Sequence, residues 1–219
     1  ISIRTLRFLD GPTPLCIREN NALRCDRIVI NTCMKWMTND KPKSCPDSNN
    51  HFKYQKESDL LYYSEHNAFN DEEIKRIINC EKNDPWLLER LYHYMNKANE
   101  KSWQYSIDGE QIQLHNYKPG NQYMWHRDGI VGHNSVIKDL ADPLHNLTRK
   151  ISMTILLNEP SEFTGGKFQI KKHDIENFTV DMQRGTVVVF PAWLGHRVTP
   201  IETGERHSLP VFFYGRPFI

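Results

Sequence analysis

The sequence predicts a mostly β protein with buttressing helices, built as an antiparallel sandwich or jelly roll. From residue 103 onward, short runs of apolar and β-branched residues alternate with turn-forming residues, and the clearest runs lie at 151–157, 186–190 and 208–213. Such spacing is typical of antiparallel strands. Two helical patterns precede these runs, so helices that cover one side of a sheet complete the prediction.

Two helices are predicted, over 71–82 and 85–100. Asn70 and Glu73 stand at the spacing of a capping box, in which each side chain satisfies a backbone N–H of the other residue. Pro85 suits the first turn of the second helix, where its missing N–H costs nothing. Apolar residues then recur at helical spacing: Ile74, Ile77 and Ile78 in the first helix, and Trp86, Leu87, Leu91, Tyr94, Met95 and Ala98 in the second.

The length of 219 residues suits one domain, or one domain with an appendage. We expect an N-terminal extension of unknown role over 1–65, with short strands and an exposed loop at 39–51, where turn-forming residues collect. The main domain is expected over 66–219, with its jelly-roll core at 103–219. The chain begins with Ile rather than Met, which favours a processed chain or a segment of a longer one.

Charge and hydropathy disfavour two classes of partner. Lys and Arg total 28 against 27 Asp and Glu, which gives a net charge of +1. The basic field that non-specific nucleic-acid binding requires is missing, so a nucleic-acid partner is disfavoured. No apolar run reaches the roughly 20 residues of a membrane span, and the N-terminus lacks a secretory signal pattern. A soluble protein is expected, with an intracellular compartment favoured and the oligomeric state open.

The five cysteines do not form a metal-binding pattern. They contain neither a C-x-x-C pair nor a Cys/His zinc spacing. Buried free thiols are the preferred interpretation, and one or two disulfides among the first four stay open. The residues are Cys16, Cys25, Cys33, Cys45 and Cys80.

His126, Asp128 and His196 form the pattern with the most definite chemistry. On a strand, residues i and i+2 point to the same face, so His126 and Asp128 would enter one interior while Arg127 points away. His196 follows a second apolar strand. Two imidazoles and one carboxylate can occupy one face of an octahedral metal and leave the other face open, as in non-haem Fe(II) oxygenases. We therefore predict an iron site at these three residues.

Arg206 follows His196 by ten residues and adds a cation that a bare metal site would not need. Its guanidinium stays charged and can bind a carboxylate through two parallel hydrogen bonds. This pattern favours a carboxylate co-substrate beside the metal.

These residues stand within a longer series of motifs. From about 114 to 218, the chain resembles the 2-oxoglutarate/Fe(II)-dependent dioxygenases of the prolyl 4-hydroxylase type, especially the PKHD-type hydroxylases. That family's fold is a double-stranded β-helix (jelly roll) with a helical buttress, which we expect here. The motifs are LHNYKPG at 114–120, YMWHRD at 123–128, RKISMTILLN at 149–158, GGKF at 165–168, GTVVVFP at 185–191, HRVTP at 196–200 and GERHSL at 204–209. Residues 1–65 match no family that we can name.

The resemblance also implies roles for single residues. The three metal-site residues would be the iron ligands and the catalytic centre. Arg206 would pair with the distal carboxylate of 2-oxoglutarate, and Ser208 would be its hydroxyl partner. Tyr117 resembles a tyrosine that borders the co-substrate, although a role as a core aromatic is an equal alternative. Gly165 and Gly166 are expected to form a turn that lets the barrel close.

The implied activity is that of a 2-oxoglutarate- and Fe(II)-dependent dioxygenase, an oxidoreductase that hydroxylates a C–H bond. It would use O2, yield succinate and CO2, and take ascorbate as a reductant. The preferred substrate is a prolyl or other residue in a protein or peptide. The alternatives are a hydroxylase of a free amino acid or other small molecule, or a non-catalytic jelly-roll binding module. A nucleic-acid demethylase is disfavoured, because similar repair enzymes carry an Arg where this chain has Phe212.

Two features near the metal residues leave alternatives open. We interpret the polar loop over 129–148 as a lid that covers the substrate, in preference to a plain surface insertion, because loops beside a site often carry specificity. Trp125 and Trp193 flank the ligand residues. For both, a core position is preferred to stacking on a substrate.

Overall fold

The computed structural model describes residues 2–6, 17–19, 22–24, 62–79, 85–129, 137, 139, 142–172 and 176–217. Antiparallel strands dominate these residues, which confirms the mostly β fold class. In chain order, the elements are β1 Ser2–Leu6, β2 Ile17–Glu19, β3 Ala22–Arg24, β4 Tyr63–Glu65, α1 Asp71–Ile78, α2 Trp86–Ser102, β5 Gly109–Tyr117, β6 Tyr123–His126, β7 Thr148–Leu156, a 3-10 turn Pro160–Glu162, β8 Phe163–Gly165, β9 Phe168–Lys172, β10 Glu176–Thr179, β11 Val187–Pro191, β12 His196–Val198, β13 Ile201–Gly204 and β14 Arg206–Gly215.

Six antiparallel strands form the larger sheet, in the order β1-β5-β14-β7-β11-β4. β14 pairs with β5 on one side and with β7 on the other. The edge strands β1 and β4 both come from residues before 66, and β2 and β3 form a separate hairpin. The predicted boundary between an N-terminal extension and the main domain stays a prediction.

The smaller sheet has the order β10-β9-β12-β6, and β8 and β13 form a further pair. One face of the larger sheet, which we call the inner face, is turned toward this smaller sheet. Side chains from both sheets meet there in one apolar cluster that includes Ile170, Val188, Phe190 and Val198. Two antiparallel sheets joined by such a core form the predicted double-stranded β-helix.

The opposite, outer face of the larger sheet packs against the helices. Buried residues of α1 and α2, such as Ile74, Leu91 and Met95, share a second apolar cluster with Ile112 and Phe213 of the sheet. This packing confirms the helical buttress. Alternation along each strand therefore separates a side that faces the helices from a side that faces the smaller sheet.

The capping box at the start of α1 is confirmed. The N–H of Glu73 donates to Asn70 Oδ1 at 3.0 Å, and the N–H of Asn70 donates to Glu73 Oε2 at 2.9 Å. The structure ends α1 at Ile78, however, and 39% of the Ile78 residue is exposed. The apolar face of α1 is therefore narrower than the sequence predicted. α2 extends two residues beyond its predicted end, to Ser102.

Some expectations fall on residues outside the described ranges. These include all five cysteines and half of the loop over 129–148, so the thiol and lid interpretations stay predictions. Neither of the helices in the described residues has the length and apolar composition needed to cross a membrane.

Candidate active site

A cavity of about 180 Å³ lies between the two sheets. Side chains of β5, β7 and β14 line it from the inner face of the larger sheet, and side chains of β6, β9 and β12 line it from the smaller sheet. The fold brings every predicted site residue to this cavity. They are His126, Asp128, His196, Arg206, Ser208 and Tyr117.

Strand pairing places the two predicted imidazole ligands side by side. His126 on β6 and His196 on β12 are antiparallel partners, and their ring centroids lie 4.2 Å apart. Asp128 stands two residues beyond His126, just past the end of β6, rather than on the same strand as predicted. Its two oxygens lie 3.4 Å from His126 Nε2 and 3.2 Å from His196 Nε2. One ligand atom from each residue lies within 4.8 Å of the others, so all three could share one metal ion.

The backbone determines which nitrogen of each imidazole faces this point. His126 Nδ1 lies 2.8 Å from the carbonyl oxygen of Met124, and His196 Nδ1 lies 2.9 Å from that of Leu194. Because a carbonyl oxygen only accepts, each Nδ1 carries the proton and donates it. Each Nε2 then keeps its lone pair, which is the state that a metal-binding imidazole needs.

Asp128 is held from the larger sheet. The hydroxyl of Ser152 on β7 donates to Asp128 Oδ2 at 2.7 Å, and Arg149 Nη1 lies 3.9 Å from Oδ1. Burial alone would raise the pKa of the Asp128 carboxyl, but the two adjacent imidazoles and the hydrogen bond from Ser152 lower it below its ordinary value. The side chain is therefore an anion, so the donor set suits a divalent cation.

Arg206 is a buried cation in the same cavity. Only 1% of the residue is exposed, and its guanidinium carbon lies 5.7 Å from the centre of the Tyr117 ring. Among the described residues its Nε has no hydrogen-bond partner, and Nη2 reaches only the sulfur of Met182, at 4.0 Å. Within the described ranges, no carboxylate pairs with it. Since burying an unpaired charge is costly, this guanidinium fits an anionic ligand that enters the cavity.

Gly166 leaves room for Arg206. Its φ is +57°, and a Cβ atom at this position would lie 2.5 Å from Ile201 Cδ1 and 3.0 Å from Arg206 Cδ. Gly165 also has a positive φ, at +73°, and is the last residue of β8. The glycine pair thus lies at the short connection from β8 to β9, and its second member also borders the buried cation.

Tyr117 and Ser208 lie close to Arg206 in the sheet. Arg206 is the antiparallel partner of Tyr117, and Ser208 is the partner of His115. Tyr117 is 2% exposed, packs in the apolar cluster between the sheets and also lines the cavity. Burial raises its pKa to about 12, so its hydroxyl keeps its proton at neutral pH. The Tyr117 ring is therefore part of the apolar core and also part of the cavity wall. The sequence had left these two positions as alternatives.

His115 and Arg149 line the cavity but were given no role from the sequence. His115 stacks on Tyr123 with 6.3 Å between ring centroids, and the Arg149 guanidinium carbon lies 3.8 Å from the centre of the Phe212 ring. Polar residues alternate along β5 before Tyr117, and this alternation could have indicated that His115 faces the interior. Arg149 stands shortly before the apolar run at 151–157, and nothing in the sequence pattern indicates toward which face of the sheet its side chain points.

The preferred core position of the two tryptophans is wrong. Trp125 alternates with His126 on β6 and lies between the cationic groups of Lys171 and Arg197, 5.0 and 4.8 Å from its ring centre. Trp193 stands in the turn between β11 and β12 and is 39% exposed. Neither residue lines the cavity.

The cavity residues lie in the part of the chain that is similar to known proteins. The profile of the 2OG-Fe(II) oxygenase superfamily matches residues 112–214, the segment that carries all six predicted site residues. Over this segment, the chain is similar to the 2OG-Fe(II) oxygenase superfamily. The cofactors of that superfamily are Fe(II), 2-oxoglutarate and O2.

Among curated proteins, the chain is similar to PKHD-type hydroxylases. It is 33% identical over 90 residues to one from Xylella fastidiosa, which covers 41% of this chain and 38% of that protein. A PKHD-type hydroxylase from Nitrosomonas europaea is 30% identical over 92 residues, 42% of this chain and 37% of its own length. The matches thus span less than half the length of these relatives.

Two solved structures share the fold. A Pseudomonas putida prolyl-4-hydroxylase superposes with a TM-score of 0.55 at 19% identity, over 71% of this chain and 89% of its own. The viral collagen prolyl hydroxylase of Paramecium bursaria Chlorella virus-1 gives a TM-score of 0.52 at 18% identity, over 71% and 96%. At these identities the likeness concerns the fold, and it confirms the predicted jelly roll.

Proposed function

We propose that the protein is a 2-oxoglutarate- and Fe(II)-dependent dioxygenase that hydroxylates a C–H bond. One observation carries the proposal. A carboxylate and two imidazoles with inward-facing Nε2 atoms share a cavity with Arg206, a buried cation that no described carboxylate neutralises. The first group suits a divalent metal and the second suits an anion, so together they fit a metal-bound dicarboxylate.

In this proposal, His126, Asp128 and His196 hold the iron. When bound, iron with 2-oxoglutarate and O2 supplies the oxidising chemistry, with succinate and CO2 as co-products and ascorbate as a reductant. The chain itself orients the ligands, through backbone carbonyls for the imidazoles and through Ser152 for Asp128. Such outer contacts stabilise both the protonation state and the direction of a metal ligand.

Arg206 would bind the distal carboxylate of 2-oxoglutarate. Its planar fork gives that carboxylate two parallel hydrogen bonds, and burial strengthens the attraction because little water screens it. Ser208 lies beside it as a hydroxyl donor, and the Tyr117 ring forms a wall. The apolar side chains of Phe168, Phe190 and Val198 line the same cavity and exclude water from it.

For the substrate, we propose a prolyl or other residue in a peptide, with a free amino acid or other small molecule as the alternative. Arg149 supports both, because it lines the cavity next to Asp128 and its guanidinium can donate to an amide carbonyl or to a carboxylate. The PKHD-type names of the similar proteins support hydroxylation in general. The net charge of +1 gives no support to a nucleic-acid substrate.

The test is succinate formation from 2-oxoglutarate with Fe(II) and ascorbate under air. We expect turnover by the wild type and a loss of at least about 100-fold in Asp128→Ala and His196→Ala, since each removes a metal ligand. His93→Ala is the matched control, because His93 is exposed on α2 and remote from the cavity. Equal succinate in the wild type and in Asp128→Ala would contradict the proposal.

The substrate class needs a second measurement. Peptides that contain proline and a panel of free amino acids are incubated with the active mixture, and mass spectrometry records the gain of one oxygen atom. A gain on peptides alone would support the preferred class, and a gain on free amino acids alone would replace it with the alternative.

A further inference from the structure

Four polar side chains lie in a row along the cavity side of β5. They stand at alternate positions, so the pleat of the strand turns them all toward the inner face. The residues, which we call the β5 ladder, are Gln111, Gln113, His115 and Tyr117. The ladder runs from Arg149 at one end to Arg206 at the other.

Each member of the β5 ladder is hydrogen-bonded to the next. Gln113 Nε2 lies 3.5 Å from Gln111 Oε1, at the long end of the range, and Gln113 Oε1 lies 2.9 Å from His115 Nε2. His115 Nδ1 lies 3.2 Å from the hydroxyl oxygen of Tyr117. The network therefore connects the buried tyrosine to the far end of the strand without a gap in the described atoms.

Arg149 determines the direction of these hydrogen bonds. Its Nη2 lies 3.3 Å from Gln111 Oε1, and a guanidinium can only donate. The oxygen of Gln111 therefore faces Arg149, and the hydroxyl of Tyr214 donates to the same oxygen at 3.2 Å. Gln113 must then donate from Nε2 to Gln111, which leaves its own oxygen turned toward His115.

This direction selects one tautomer of His115. The oxygen of Gln113 can only accept, so His115 Nε2 carries the proton. Burial and the nearby Arg206 lower the pKa of His115 to about 4, so the ring is neutral at pH 7 and its Nδ1 has a free lone pair. His115 Nδ1 and the Tyr117 hydroxyl oxygen lie 3.2 Å apart, so the Tyr117 hydroxyl must be the donor of this hydrogen bond.

We propose that His115 is a positioning residue that holds Tyr117 against Arg206 and thereby sets the affinity for 2-oxoglutarate. The inference rests on the proposed function. Tyr117 is 2% exposed, so without His115 its hydroxyl would lose its one hydrogen-bond partner among the described residues. The ring could then leave its place 5.7 Å from the guanidinium, and the carboxylate site would lose a fixed wall.

The test compares two substitutions at one position. His115→Asn keeps an acceptor, because Oδ1 of asparagine is as many bonds from Cα as Nδ1 of histidine, whereas His115→Leu has a similar size and no acceptor. 2-Oxoglutarate is titrated by calorimetry into protein loaded with Mn(II) under nitrogen, where no turnover occurs. Titration of Mn(II) alone and the melting temperature report on the metal site and on folding.

We expect His115→Leu to raise the Kd for 2-oxoglutarate about tenfold, with an unchanged Kd for Mn(II), and His115→Asn to stay within about threefold of the wild type. Equal weakening in both variants, or in neither, would overturn the inference alone. A wild-type protein that binds Mn(II) but no 2-oxoglutarate would overturn the proposed function, and the inference with it.

A variant one step further along the β5 ladder tests its direction. Gln113→Leu removes the acceptor that selects the tautomer, so Nδ1 could be protonated and Tyr117 could lose its acceptor. We expect a smaller rise in the Kd for 2-oxoglutarate, about threefold. An unchanged Kd would show that Gln113 does not select the tautomer and would overturn that step.

Discussion

The two faces of the larger sheet differ although the same strands form both. On the outer face, Ile112 of β5 and Leu209, Val211 and Phe213 of β14 are at most 1% exposed and pack against the helices. On the inner face, the intervening residues are the β5 ladder together with Arg206, Ser208, Pro210 and Phe212, and all of these except Gln111 line the cavity. One strand thus serves stability on one side and ligand binding on the other.

The difference shows that adjacent residues of one strand can contribute to different properties, one to the stability of the fold and the next to ligand binding. Outer-face residues gain free energy by leaving water and by close packing. Inner-face residues include a charge and polar groups whose burial costs free energy unless a ligand or a neighbour compensates it. Substitutions one residue apart should therefore have opposite effects on folding and on binding.

The largest expected effect is on the outer face. Phe213 is fully buried, and its ring lies 5.5 Å from that of Tyr92 on α2. We expect Phe213→Ala to lower the free energy of unfolding by about 3–5 kcal/mol, because it removes a buried ring and leaves a cavity. Urea denaturation followed by circular dichroism measures the change.

Phe212→Ala is the matched control for that prediction. Phe212 directly precedes Phe213 on β14, but its ring lines the cavity and contacts the Arg149 guanidinium. We expect a smaller loss of stability than for Phe213→Ala. Equal losses would show that the two faces do not divide stability and function as proposed.

A smaller effect of opposite sign is expected at Arg206. Arg206→Met replaces a fully buried, unpaired cation by an apolar chain of similar length, so the free energy of unfolding should stay the same or rise by about 1–3 kcal/mol. Binding of 2-oxoglutarate should be lost. Denaturation and calorimetry on the same preparation measure both, and a clear loss of stability would mean that Arg206 supports the fold.

The smallest effect concerns the one buried carboxyl of the outer face in the described part of the chain. Glu110 accepts a hydrogen bond of 2.5 Å from Tyr92, and burial raises its pKa above the ordinary value of 4.5. As the pH rises above 4.5, the unfolded chain releases this proton before the folded chain does, so folding becomes less favourable. Glu110→Gln keeps the acceptor and should remove this loss.

We therefore expect the melting temperature of Glu110→Gln to match that of the wild type near pH 4 and to exceed it near pH 7. The difference should grow steadily between these values. A difference that does not change with pH would show that the effect comes from packing rather than from the carboxyl proton.

The fold was predictable because its main features are local. The capping box of Asn70 and Glu73 and the apolar runs at 151–157 and 186–190 fix elements that the structure contains. Ile78 shows the limit of such patterns. Its spacing matches an apolar face, but whether a residue at the edge of that face is buried depends on the neighbouring sheet, which no local pattern describes.

The site was predictable as a set of residues but not as a network. The order and type of His126, Asp128, His196 and Arg206 follow from the motifs, and the cavity contains all of them. Ser152 and Arg149 belong to β7 of the larger sheet, and they reach Asp128 because the fold brings this strand opposite the end of β6. Contacts between residues that are distant in the sequence depend on the register of strands, and a single sequence leaves that register open.

The two imidazole ligands and the carboxylate ligand differ in how mutation can alter their orientation. The imidazoles donate to backbone carbonyl oxygens, whereas the carboxylate accepts from a side chain. Every amino acid carries such an oxygen, so no substitution at Met124 or Leu194 can delete the groups that direct His126 and His196. Asp128 depends instead on a hydroxyl that mutation can remove. A single substitution at position 152 can therefore remove an outer contact of the carboxylate ligand, whereas the contacts that direct the two imidazoles persist whatever residues stand at 124 and 194.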